Sequence, residues 1–192
     1  MLEEYPRILM ERSVEGFIVI DTALETSLPL PAVAISGHRR IRNVTNVILD
    51  HDLAATLALQ HLVELGLKRI AFMKGQPFSS DSAERWRAIP PAAVRLGLKI
   101  FPELTLKLTM DTFSPEVGYP VMREFLKRDK EFTALVAYND FSAIGAVRSL
   151  REAGLRVPRE SRENSGGTRA CDPRVDCCVS SQRSTQTSTP RR

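Results

Sequence analysis

One stretch narrows the folds open to this chain more than any other: ALVAYNDFSAIGAVRSLREAG, residues 134 to 154. Ala134 to Tyr138 form an apolar run of the length of a strand buried on both faces. Polarity then switches at Asn139 and Asp140. A helical pattern follows, with Phe141, Ile144, Val147, Leu150 and Ala153 on one face and Gly154 as its stop. A strand feeding a helix through two polar residues is the basic step of a parallel α/β sheet, and ligands on such sheets sit at the carboxyl ends of strands. Asn139 and Asp140 are therefore candidates for ligand contact. Asp or Asn at this place is also a common N-cap, stabilising a helix by about 1 kcal/mol. Both roles stay open, since one residue can cap while its neighbour faces a cleft.

The same alternation runs through the chain. Phe17 to Ile20 read as a buried strand ending in Asp21, and Ala32 to Ile35 as a second ending in Ser36. Residues 2–12 allow a short helix, confined by Pro6 to the part that follows. A third strand is expected at Val47 to Leu49. A helix follows from Asp52 to a stop at Gly66, with Leu53, Leu57, Leu62 and Leu65 among its apolar face. Residues 68–75 return as a strand. Residues 79–97 read as a helix capped by Asp81 or Ser82 and broken or kinked at Pro90 and Pro91. Leu104 to Leu108 form a further strand, and Ser114 with Pro115 open a helix through Arg128 that Pro120 disturbs. Strands alternating with helices imply an α/β fold of parallel, doubly wound sheets.

After Gly154 the pattern fails. Residues 161–192 are crowded with Ser, Thr, Arg, Gly and Pro, and too little apolar surface is present to offset the entropy of ordering them. A disordered tail is expected there, beyond a domain spanning residues 1–160. Six Arg and three acidic residues among 161–192 carry three of the chain's four net positive charges. The body is thus nearly neutral, which argues against a nucleic-acid surface; its one dense basic cluster, His38 to Arg40, reads as a solvated loop. All three cysteines, Cys171, Cys177 and Cys178, fall in the tail without paired spacing or accompanying histidine. Neither a metal site nor a disulfide framework is read from them. No stretch approaches the roughly 18 apolar residues of a membrane span, and the start lacks a signal peptide's order, so a cytoplasmic protein is expected.

Catalytic and cofactor motifs are missing: there is no GxxxxGK[ST], no GxGxxG after a strand and no GxSxG. His38, His51 and His61 sit in no recognisable catalytic context. A binding module is favoured over an enzyme, with no cofactor. The polar groups at strand ends are Asp21, Ser36, the stretch from Phe78 to Arg85, and Asn139 with Asp140. Asn and Asp accept, Asn and Arg donate, and Arg adds a planar fork, an inventory that suits a small polyol or sugar. Arg85 reads equally as a surface residue paired with Asp81 or Glu84.

Taken in order, VEGFIVIDT, LPAVAIS, HLVELGLKRIAFMKG, SSDSAERWRAI and TALVAYNDFSAIGAVRSLREAGLRVPRE resemble the effector-binding domain of LacI/GalR transcriptional regulators over roughly residues 10–160. The resemblance implies two doubly wound subdomains, like periplasmic sugar-binding proteins, closing on a small effector, with dimerisation possible. It matches Arg85 to an arginine that binds effector hydroxyls and Asn139, with Asp140 beside it, to an effector-contacting asparagine. Ser36 and Asp21 align with cleft-lining strand ends. Ala88 stands where the family usually has Gly. The helix-turn-helix headpiece that reads operator DNA, the first strand–helix unit and the strand after VPRE are not matched. An incomplete fold truncated at both ends, with a frameshift near Arg159, is the expectation. Such a chain should bind effector weakly or not at all and should not bind operator DNA specifically. The other readings are a sugar-binding protein of an uptake system and a small α/β enzyme.

Overall fold

Along β4, Ile70–Lys74, successive side chains point to opposite faces of the sheet, and this alternation splits the interior into two clusters. Ile70 and Phe72 join Leu59, Leu62, Ile89 and Ala92 on one face; Ala71 and Met73 join Leu106, Met122, Phe125 and Leu150 on the other. The structure is a computed structural model and describes residues 4–22, 24–110, 114–128, 131–157 and 177–180. Within these, helix α1 is Glu4–Met10, and β1 (Phe17–Ile20), β2 (Ala32–Ile35) and β3 (Val44–Val47) form a parallel sheet in the order β1-β2-β3. Helix α2, His51–Glu64, leads to a second parallel sheet, ordered β5-β4-β6-β7, with β5 at Thr105–Lys107, β6 at Ala134–Ala137 and β7 at Cys177–Ser180. Helices α2 and α3 (Ser80–Arg95) cover one face of this sheet, and α4 (Gly118–Leu126) and α5 (Asp140–Glu152) the other. The α/β class and parallel sheets are as expected. Among the described residues no helix is long and apolar enough to cross a membrane.

Several details differ from expectation, each for a physical reason. The third strand lies at Val44–Val47, not at Val47 to Leu49, because Asp50 is committed to capping α2: its side chain accepts from Leu53 N at 2.9 Å. Helix α3 runs through Pro90 and Pro91 without a break. Both prolines are exposed, on the outer side of the helix, so their rings do not disturb its buried face of Ala88, Ile89, Ala92 and Ala93. The helical stretch after Ser114 divides into a 3₁₀ turn, Pro115–Val117, and α4.

The burial of two helices also departs from their apolar patterns. In α5, Phe141 and Ile144 are exposed, while Ser142, Gly145, Ala146, Ser149 and Leu150 face inward. Close approach of α4 selects the small residues: a Cβ on Gly118 would lie 2.0 Å from the carbonyl oxygen of Ser142. In α2, Ala55, Leu59 and Leu62 are buried and Leu53, Leu57 and Leu65 are exposed. A helix apolar on most sides offers no single stripe for periodicity to pick out. Finally, β7 pairs with β6 in parallel register, Ala134 opposite Cys177 and Ala137 opposite Ser180. Disorder expected throughout 161–192 therefore does not hold for these four residues, which satisfy the backbone groups of an otherwise open strand edge. The remainder of that tail, and the expected boundary at residue 160, lie outside the described residues.

Candidate ligand-binding cleft

The carboxyl ends of β1 and β2 meet the start of α3, and β6 delivers Tyr138 to the same place. Asp21 and Ser36 end their strands with φ of 46° and 62°. A left-handed conformation costs a non-glycine residue about 1 kcal/mol or more, and is retained only where surrounding contacts enforce it. Here the contacts come from α3. Ser79 Oγ donates to Asp21 Oδ1 at 2.8 Å, and Ser80 Oγ lies 2.7 Å from the Ser36 carbonyl oxygen and 3.2 Å from Asp21 Oδ1. Tyr138 hydroxyl hydrogen-bonds Ser79 Oγ, so a chain of polar groups runs from β6 through α3 to β1. Burial pushes the Tyr138 phenol up, against the opposing effects of the Ser79 bond and the Arg85 charge.

Asp81 organises the other side. It sits in the first turn of α3, where capping was expected of it, yet Ser79 holds the N-cap position and the Asp81 carboxylate turns elsewhere. One oxygen, Oδ2, accepts from Arg85 Nη2 at 3.1 Å; the other, Oδ1, lies 2.7 Å from His38 Nε2 and 3.4 Å from His51 Nε2. Burial alone would raise the Asp81 carboxyl, but the adjacent His51 and His38 imidazoles and the Arg85 charge outweigh it and hold the group below the usual carboxylate range. Arg85 also donates through Nη1 to the Tyr138 carbonyl at 2.9 Å, and its guanidinium lies over the Tyr138 ring at 4.9 Å. The half of the alternative that paired Arg85 with Asp81 is thus what the structure shows, with the pair folded into the cleft wall.

Asn139 is the N-cap of α5. Its Oδ1 accepts from Ser142 N at 2.9 Å while Ser142 Oγ accepts from Asn139 N at 3.0 Å, a reciprocal capping box. Asp140 is exposed in the first turn of α5. Between Arg85, Trp86, Tyr138, His51 and the end of β4 lies a space of about 500 Å³, counting the part open to solvent, with Lys74 Nζ 4.1 Å above the Trp86 ring. Burial and the neighbouring Lys107 push the Lys74 amine down.

Ser79, Ser80 and Tyr138 were not singled out individually in the sequence, and His38 and His51 were set aside. The usable signal was position: His38 stands two residues past Ser36, and His51 begins a helix soon after β3, so both lie beyond carboxyl ends of strands.

Two parallel α/β sheets whose carboxyl ends meet through polar contacts with the start of α3 are the architecture of the periplasmic-binding-protein class. Residues 59–162 match the family model of the periplasmic binding protein-like domain. The chain belongs to that family and corresponds to the effector-binding core of LacI-type regulators. It is 37% identical over 117 residues to the HTH-type transcriptional repressor PurR of Haemophilus influenzae, covering 60% of this chain and 34% of that protein. With the HTH-type transcriptional regulator AscG of Escherichia coli it shares 29% over 156 residues, 81% of this chain and 44% of AscG. Among solved structures, a sugar-binding LacI-family regulator from Escherichia coli complexed with phosphate superposes with a TM-score of 0.64 at 26% identity, over 80% of this chain and 57% of that one. CcpA of Lactococcus lactis gives 0.66 at 21% over 82% of this chain and 59% of its own, a likeness of fold alone. The chain thus spans between a third and a half of the length of these curated relatives.

Proposed function

We propose that the cleft is the effector site of a LacI-type transcriptional regulator and that it takes a sugar or similar hydroxyl-rich small molecule. The observation that carries this reading is the convergence of Asp21 and Ser36 from one sheet with Ser79, Ser80, Arg85 and Tyr138 from the other lobe in one hydrogen-bonded rim. Arg85 donates to ligand oxygens, Asn139 donates through its amide, and Asp21, Asp140 and the Ser36 carbonyl accept. A ligand that fits one arrangement of the two sheets better than another shifts the population between them, and that shift is the regulatory signal. The relatives' names favour regulation over sugar uptake or catalysis. Operator DNA belongs to a helix-turn-helix part of the longer regulator, acting in the cytoplasm, with a second copy as partner.

Trp86 is the chain's single tryptophan and lines the cleft, so its fluorescence reports occupancy. Titration with a panel of monosaccharides and disaccharides should give a saturable change for at least one. Arg85→Ala should then weaken binding by about 1–3 kcal/mol, because ligand oxygens lose their partner in a partly closed cleft. Equal affinity in that variant moves the site elsewhere.

A further inference from the structure

His38, His51 and Asp81 present three metal-ligating atoms all within 4.8 Å of one another. They come from the loop after β2, the first residue of α2 and the first turn of α3, so no contiguous motif announces them. Two features separate this cluster from an ordinary buried ion pair. His51 Nε2 is buried without a hydrogen bond of good geometry, although it points at Asp81 Oδ1. And Arg85 occupies Oδ2 of Asp81, leaving Oδ1 as the oxygen shared by both imidazoles.

We infer that His38 Nε2, His51 Nε2 and Asp81 Oδ1 form a binding site for a divalent first-row transition metal ion, with Zn²⁺ the best match to two imidazoles and one carboxylate. Bonds of about 2.0–2.1 Å in tetrahedral array set donor atoms roughly 3.4 Å apart. The His51–Asp81 pair stands at 3.4 Å, while the His38–Asp81 pair, at 2.7 Å, opens slightly when an ion replaces the shared proton. Arg85 acts as the outer partner that keeps the carboxylate on one oxygen. Arg85 and the positive ends of α2 and α3 oppose a cation, which places the affinity well short of a structural zinc site. Because His38 follows a strand of the first sheet and Asp81 belongs to the second lobe, the ion ties the two together.

The test uses the full chain and Co²⁺ alone as the probe. One equivalent should bind, giving a visible d–d spectrum without thiolate charge transfer, and His38→Gln and His51→Gln should each lower affinity more than about tenfold. His61→Gln, at an exposed position of α2, should leave it unchanged. Should either glutamine variant fail to fold, proton NMR of the natural chain with Co²⁺ decides: two exchangeable, hyperfine-shifted imidazole N–H signals support the site. Absence of those signals, a thiolate band from Cys171, Cys177 or Cys178, no binding at millimolar Co²⁺, or undiminished affinity in both folded variants overturns it.

Discussion

The two sheets are built from similar short parallel strands, yet they are buried very differently. In the second, β4 and β6 are covered on both faces and Ala71, Leu135 and Ala134 are fully inaccessible. In the first, only one face is covered: Phe17, Ala32 and Ala34 are buried, whereas Ile18, Ile20 and Val47 are 73%, 64% and 53% exposed. Neither interior cluster includes a residue of β1, β2 or β3. An apolar strand is therefore not evidence of its own burial; a helix must be available to lie on it. The first sheet is held to the second chiefly by polar contacts around Asp21, Ser36, Asp81 and His38, which are also the contacts of the cleft.

This contrast can be broken or sharpened by substitution. Leu150→Ala, at a fully buried site in the second lobe, should cost about 2–5 kcal/mol in urea unfolding through lost transfer energy and a residual cavity. A loss below 1 kcal/mol, on the order of a surface change, would mean that α5 is not packed as described. Gly118→Ala should cost about 1–3 kcal/mol, since its Cβ meets the Ser142 carbonyl and α4 must move away. Asp81→Asn should cost about 2 kcal/mol, loosening the contact between lobes and leaving Arg85 without its charged acceptor. Limited proteolysis between residues 21 and 50 should accelerate in that variant, and an unchanged digestion rate would show that the lobes do not depend on this contact.

Acid sharpens the same point. A carboxyl held below its ordinary value contributes stability that is fully present above about pH 4 and is lost as pH falls toward the folded-state value. His38, His51 and Arg85 all face Asp81, so its protonation removes the negative charge that all three share. The natural chain should therefore lose stability below pH 4 more steeply than Asp81→Asn; parallel acid limbs would remove Asp81 as the cause. The smallest effect is expected on the bare face. Ile18→Ala should change stability by less than about 0.5 kcal/mol, and a larger loss would reveal that something covers it.

Pattern and punctuation made most elements legible. Runs such as Phe17 to Ile20 and Ala32 to Ile35 need a strand, and Gly66 and Gly154, with φ of 76° and 79°, end helices as their lack of a side chain allows. Asp21, Ser36 and Asn139 were legible as polar groups at strand ends because strand ends are countable along a chain, and Arg85 as a polar group in the helix after β4. Which face of α2 or α5 turns inward was not, because Leu53 and Phe141 are as apolar as Leu59 and Leu150, and only a neighbouring helix selects among them. Nor was the meeting of His38, His51 and Asp81. Local sequence carries the preference of each residue for a conformation, while contacts between residues 30 or 43 positions apart exist only once β2, α2 and α3 have been brought to one end of two sheets. The sequence by itself determined the alternation of strand and helix and the polar strand ends; packing decided which faces are covered and which polar groups share the cleft, since both depend on close approach across space.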